Sequence, residues 1–119
     1  MSNLGARSIT LNGSTCDISV RWYPPYGDAH LITGYEVFLE EYTNGWRSFD
    51  KVSVGNTTHY TTPCNLESGR LHRIFIRSKI SLHNPLKQMF VDSSSLQHIV
   101  GKYTFQSYSL ENIKVFDKF

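Results

Sequence analysis

The sequence predicts an all-β sandwich, a single domain of seven short antiparallel strands in two sheets. Three observations carry that prediction. Apolar and polar residues alternate with a period of two along most of the chain, turn dipeptides separate the alternating runs, and no long helical period competes. At 119 residues the chain has room for one domain. A domain of that size buries roughly two-thirds of the surface it exposes when unfolded, enough for a core without metal or disulfide staples.

Ile9 and Leu11 mark a first strand, closed by the turn dipeptide Asn12-Gly13. Ile18, Val20 and Trp22 alternate with Asp17, Ser19 and Arg21, giving a second strand with one dry and one wet face. Pro24-Pro25 ends it, because proline has no amide hydrogen for a ladder and restrains the residue before it. Tyr26 to Thr33 is then a loop. Tyr35, Val37 and Leu39 alternate with Glu36, Phe38 and Glu40 in a third strand. Asn44-Gly45 is a strong hairpin signal, since both central residues of a type I′ turn need positive φ, and Trp46 to Val54 returns as the fourth strand. After Gly55-Asn56, His59 to Thr62 forms a short fifth strand before Pro63. In the sixth, His72, Ile74, Ile76 and Ser78 alternate with Arg73, Phe75, Arg77 and Lys79. Leu82 to Leu86 is a loop around Asn84-Pro85, and the last strand falls within Lys87 to Phe105. The expected core holds Ile18, Val20, Trp22, Tyr35, Val37, Leu39, Leu66, Ile74 and Ile76.

Composition narrows the function classes. An apolar share of 39% with only 18% charged residues belongs to a folded chain. The net charge of +2 comes from interspersed acids and bases, so the basic stripe expected of a nucleic-acid binder is missing. No apolar run reaches the length of a membrane span. The partner to expect is another protein, with no nucleic acid and no membrane insertion. The first residues lack the basic-then-apolar order of a signal peptide. If Met1 is the native start, an intracellular protein is expected; in an excised domain an extracellular site stays open.

From Ile18 onward the chain resembles a fibronectin type III domain. Ile18-Ser19-Val20-Arg21-Trp22-Tyr23-Pro24-Pro25 is similar to that family's second strand, with its core tryptophan and following proline. Ile32-Thr33-Gly34-Tyr35-Glu36-Val37 matches the start of its third strand, and Leu66-Glu67-Ser68-Gly69 its leucine-x-proline-glycine corner. Two departures stand out. Ser68 replaces the usual proline, and His72 occupies the place of the corner tyrosine, whose hydroxyl ties back to the corner backbone. An imidazole that donates one hydrogen bond is the expected substitute. The resemblance implies a seven-stranded antiparallel immunoglobulin-like β-sandwich over residues 9–100, between an arm (1–8) and an aromatic-rich tail (101–119). It implies a binding, scaffold, adhesive or spacer role without enzymatic activity, and does not choose a partner. It also implies that the second and fifth strands pair, which brings Cys16 near Cys64. A disulfide there needs Cα atoms within about 7 Å; the alternative is two small buried thiols. A bridge would favour an extracellular receptor or adhesion domain.

Motifs for chemistry are sparse. His30, His59, His72, His83 and His98 are scattered without metal-ligand spacing, and no phosphate-binding glycine loop or nucleophile elbow is present. Glu40 and Glu41, adjacent on a strand, point to opposite faces and make poor acid–base partners. No catalytic residue, metal or cofactor is expected. Asn12-Gly13-Ser14 and Asn56-Thr57-Thr58 fit the N-glycosylation pattern, which a chain rich in asparagine, serine and threonine meets about once by chance.

The candidate partner-binding residues lie on the outer face of the third and sixth strands. With Glu36 opposite Arg77, Phe38 falls opposite Phe75 and Glu40 opposite Arg73. Each such pair is worth roughly 0.2–1 kcal/mol. Phe49 joins this face if the hairpin register is tight. One reading is sheet decoration sufficient to itself. The other is a protein interface, an aromatic centre rimmed by arginine and glutamate. The loops Tyr26–Thr33 and Ile80–Leu86 are the alternative contact sites. The tail, with five aromatics from Tyr103 to Phe119, is expected to dock as a strand or as a short helix capped by Ser109, with Leu110, Ile113 and Phe116 on one side.

Overall fold

The computed structural model describes residues 4–81, 88–101 and 107–109, and these form nine strands. They are β1 (Arg7–Gly13), β2 (Ile18–Tyr23), β3 (Ile32–Tyr42), β4 (Trp46–Gly55), β5 (His59–Thr61), β6 (Leu71–Ser81), β7 (Gln88–Asp92), β8 (Leu96–Ile99) and β9 (Ser107–Ser109). A short 3₁₀ turn, Ala29–Leu31, leads into β3. The smaller sheet runs β5-β2-β1-β9; the larger runs β4-β3-β6-β7, with β8 also paired to β6. Every pairing is antiparallel.

The seven expected strands are all present, the seventh as two pieces. β7 covers Arg77–Ser81 of β6 and β8 covers Leu71–Ile74. Between them the alternation lapses at Ser93-Ser94-Ser95. The Ser93 amide donates to the Ile76 carbonyl (2.8 Å), and its hydroxyl accepts from the Ile76 amide (2.9 Å). A side-chain oxygen thus stands in for a ladder carbonyl while the edge changes course. β9 is additional and pairs with β1, Leu11 opposite Tyr108. The loop expected at Leu82–Leu86 and the tail helix beyond Ser109 lie outside the described residues; Ser109 itself ends β9.

Alternation fixes what is buried. All nine expected core residues fall in one cluster, joined by Ala6, Ile9, Leu11, Leu96 and Val100. Trp22 meets Tyr35 edge to face at 5.5 Å, the arrangement that ring quadrupoles favour. At one end of the sandwich Cys16 and Cys64 are bonded, with Cα atoms 4.8 Å apart. The β2–β5 pairing brings them together, Val20 opposite Tyr60. Beside the bridge the Leu66 amide donates to the Cys16 carbonyl (3.0 Å) and the Gly69 amide to the Val100 carbonyl (2.7 Å). Ser68, in the place of the expected proline, packs where a side chain on Gly101 would stand, and Gly101 has a left-handed φ of 84°.

His72 departs from expectation. It is 1% exposed, and neither ring nitrogen has a hydrogen-bond partner. The Arg70 carbonyl lies close without meeting hydrogen-bond geometry, and Glu41 Oε2 is 3.9 Å from Nε2. The corner tether is therefore absent, and packing takes its place: Phe49 on one side (5.5 Å, edge to face) and His98, the cross-strand partner on β8.

That contact also relocates Phe49. Tyr42 faces Trp46 across the Asn44-Gly45 turn, where both residues have positive φ (68° and 125°). Then Glu40 pairs with Ser48 while Leu39 pairs with Asp50, so Phe49 is the extra residue of a bulge. Its ring meets His72 edge to face and stays 40% exposed at the sheet margin. A tight register cannot be assumed where one strand carries an extra residue.

Candidate functional site

The outer face of the larger sheet has the expected register, with Glu36 opposite Arg77, Phe38 opposite Phe75 and Glu40 opposite Arg73. The rings of Phe38 and Phe75 are stacked, 4.9 Å apart and within 3° of parallel. They stand outward because Val37, Leu39, Ile74 and Ile76, their chain neighbours, fill the core.

Arginines bind this aromatic pair into a wider array. Arg77 lies 4.5 Å from the Phe38 ring and 5.4 Å from Phe90, within cation–π range of both. Lys51, opposite Phe38 on β4, approaches the same ring at 5.8 Å. Arg73 sits 4.3 Å over Trp46 and hydrogen-bonds Glu40 through Nε. Arg77 donates its hydrogen bonds to a residue other than the expected Glu36. Asp92 of β7 accepts from Arg77 Nε at 2.7 Å and from Nη2 at 3.1 Å, a bidentate pair. These bonds hold the Arg77 proton more firmly than in free arginine, with Glu36 adding a weaker attraction from a distance.

Trp46, Phe90 and Asp92 belong to the site and escape sequence reasoning. Trp46 had a signal, since the Asn-Gly turn sets it beside Tyr42 (rings 5.3 Å apart) on the outer face. Phe90 and Asp92 had none, because the last strand lacks a clean alternation. Phe90 is 49% exposed. Where β7 gives way to β8, a shallow depression of about 270 Å³ opens, lined by Glu40, Arg73, Phe75, Asp92, Ser93 and Ser95. An aromatic ring, ion-paired side chains and two serines lining one recess are suited to receive a partner's side chain.

Two other surfaces have less to offer. The outer face of the smaller sheet carries a polar groove of about 420 Å³, lined by residues that include Thr10, Asn12, Ser19, Arg21 and His59. Arg7 of β1 lies 3.6 Å over the ring of Tyr26, a residue of the loop after β2 that is 81% exposed. Of the expected Ile80–Leu86 loop, Ile80 is fully buried and belongs with Ser81 to β6, so neither is a loop contact; the remainder, with His83, lies outside the described residues.

Of the remaining histidines, His30 sits in the exposed 3₁₀ turn, His59 on β5, and His98 is buried opposite His72. Burial drives the His98 pKa down to about 4, with the neighbouring His72 pushing the same way. Burial also lowers His72, against an opposing pull from Glu41. Among the described residues no group of three or more histidines, cysteines or carboxylates is arranged to hold a metal ion.

Comparison with known proteins adds to this geometry. No family model matches the chain. No curated protein sequence matches it either. Among solved structures it is similar to the FN5 domain of Drosophila Lar, with 17% identity and a TM-score of 0.60, over 87% of this chain and all of that one. At that identity the likeness shows the fold alone. With its two antiparallel sheets, buried Trp22 and open corner at His72, this chain has a fibronectin type III-like β-sandwich fold.

Proposed function

We propose that the domain is a non-catalytic protein-recognition module that engages its partner through the outer face of the larger sheet. One observation carries this reading: Trp46, Phe38, Phe75 and Phe90 are interleaved with Arg73, Arg77 and Lys51 on one face beside an open recess. Aromatic residues and arginine are the types enriched at interfaces, and those that most often dominate binding energy. Arg73 and Arg77 are already held by Glu40 and Asp92, so their side chains are pre-ordered and lose less freedom on binding. The test is affinity capture with wild type beside the Phe38→Ser/Phe75→Ser variant, with folding checked by circular dichroism. A partner held by wild type and lost by the folded variant supports the reading. Equal recovery by both moves recognition to the Tyr26 loop or leaves a spacer.

A second reading, that of an extracellular receptor or adhesion domain, is favoured by the Cys16–Cys64 bond. Such bonds persist in oxidising compartments and are rare in the cytosol. Non-reducing peptide mass mapping of the protein from its native source decides it. A bridged Cys16–Cys64 peptide supports this reading, and two free thiols oppose it.

A further inference from the structure

Asn12 and Asn56 stand in the same acceptor pattern, and spacing alone treats them alike. The structure separates them. Both are exposed, but Asn12 lies within β1, opposite Ser19 on one side and Ser107 on the other, so ladders flank its backbone on both edges. Asn56 is exposed in the turn between β4 and β5, directly after Gly55, whose φ is 63°. The turn closes through the next residue: the Thr57 hydroxyl and amide both donate to the Val54 carbonyl, at 2.8 and 3.3 Å. Nothing lies within 4 Å of where a side chain on Gly55 would begin, so the space beside Asn56 is open. An acceptor asparagine is expected on just such a surface turn.

The Cys16–Cys64 bond is the independent observation, because disulfide formation and glycan transfer share the secretory compartment. We propose that Asn56 is an N-glycosylation site, taking an oligosaccharide from a lipid-linked donor; this rests on the extracellular reading above. In the transfer the Asn56 amide nitrogen bonds to the anomeric carbon of the sugar. The bond from that carbon to the lipid pyrophosphate breaks, the pyrophosphate keeps the electron pair, and the amide proton goes to a base. Nothing is oxidised or reduced.

The position has a consequence for recognition. The Trp22 amide donates to the Thr58 carbonyl (2.9 Å), and a side chain on Gly34 would touch the Gly55 carbonyl. The turn therefore sits where β2 ends, β3 begins and the loop carrying Tyr26 departs. A glycan there flanks that loop. From Lys51, beside Phe38, it is about 17 Å along the strand at 3.3–3.4 Å per residue.

The experiment places a secretion signal ahead of the full chain, expresses it in eukaryotic cells, and reads the purified product by glycosidase treatment and peptide mass mapping. The expected result is a glycosidase-sensitive mobility shift that Asn56→Gln and Thr58→Ala abolish. Thr58→Ser and Asn12→Gln should retain it. A bare Asn56 in chains whose Cys16–Cys64 bond has formed overturns the glycan proposal alone, as does a shift that follows Asn12. A bare Asn56 with both thiols free overturns the extracellular reading with it.

Discussion

Acid should loosen this domain by protonating the histidines buried between β6 and β8. His98 is 3% exposed, and its pKa falls from an ordinary 6.5 to about 4 on folding. The unfolded chain therefore takes up a proton near pH 6.5 that the folded chain refuses until about pH 4. The stabilisation is fully present above pH 6.5 and is lost as the pH falls through that window. One pKa unit corresponds to about 1.4 kcal/mol, so His98 alone removes about 2 kcal/mol between pH 8 and pH 5, and about 3 kcal/mol below pH 4. His72 acts in the same direction, moderated by Glu41 and aided by the Arg70 charge. Against a typical stability of 5–15 kcal/mol this is a large share. Urea unfolding followed by tryptophan fluorescence at pH 8, 6.5 and 5 measures the loss, and NMR titration assigns it to the two imidazoles. An unfolding midpoint that stays constant from pH 8 to pH 5 would refute the argument. So would an equally steep acid response in the His72→Leu/His98→Leu variant.

Other expected outcomes follow from the packing. Replacing Cys16 and Cys64 with alanine releases a loop closed over a separation of 48 residues; the chain-entropy relation gives a loss of about 4 kcal/mol, measurable by thermal unfolding with and without reductant. Gly13→Ala drives a methyl group into the His98 ring, so a loss of about 1–3 kcal/mol is expected by urea titration, and removing the ring with His98→Ala should relieve the clash in a double-mutant cycle. Trp22→Ala should cost about 3–5 kcal/mol as a core truncation. Phe75→Ser, on the outer face, should leave the domain folded by circular dichroism, whereas unfolding would show that its ring belongs to the core.

Legibility in the sequence tracked the strength of the alternation. Around Phe38 and Phe75 both strands alternate without interruption, and a shift of one residue would bury Glu36 and Arg77, so a single register satisfies the core. Phe49 was not legible, since nothing in Arg47-Ser48-Phe49-Asp50 marks which residue the bulge will leave unmatched. Asp92 took Arg77 from Glu36 because a residue two strands from β3 reaches the guanidinium with two oxygens, and the sequence does not place that strand. At the corner, sequence reasoning supplied His72 with a hydrogen bond. The fold supplies Phe49 and His98, apolar and cross-strand contacts that a one-dimensional motif does not encode.

The two outer edges of the larger sheet share a property that bears on life at high concentration. One edge, β4, is kinked by the extra residue Phe49; the other is cut by Ser93–Ser95 into runs of five and four residues. Among the described residues, a strand from a neighbouring molecule finds no long, straight row of amides and carbonyls on either side to zip onto. Copies of the domain can therefore crowd together, or be strung along a longer chain, while the breaks in their margins keep one sheet from growing into the next.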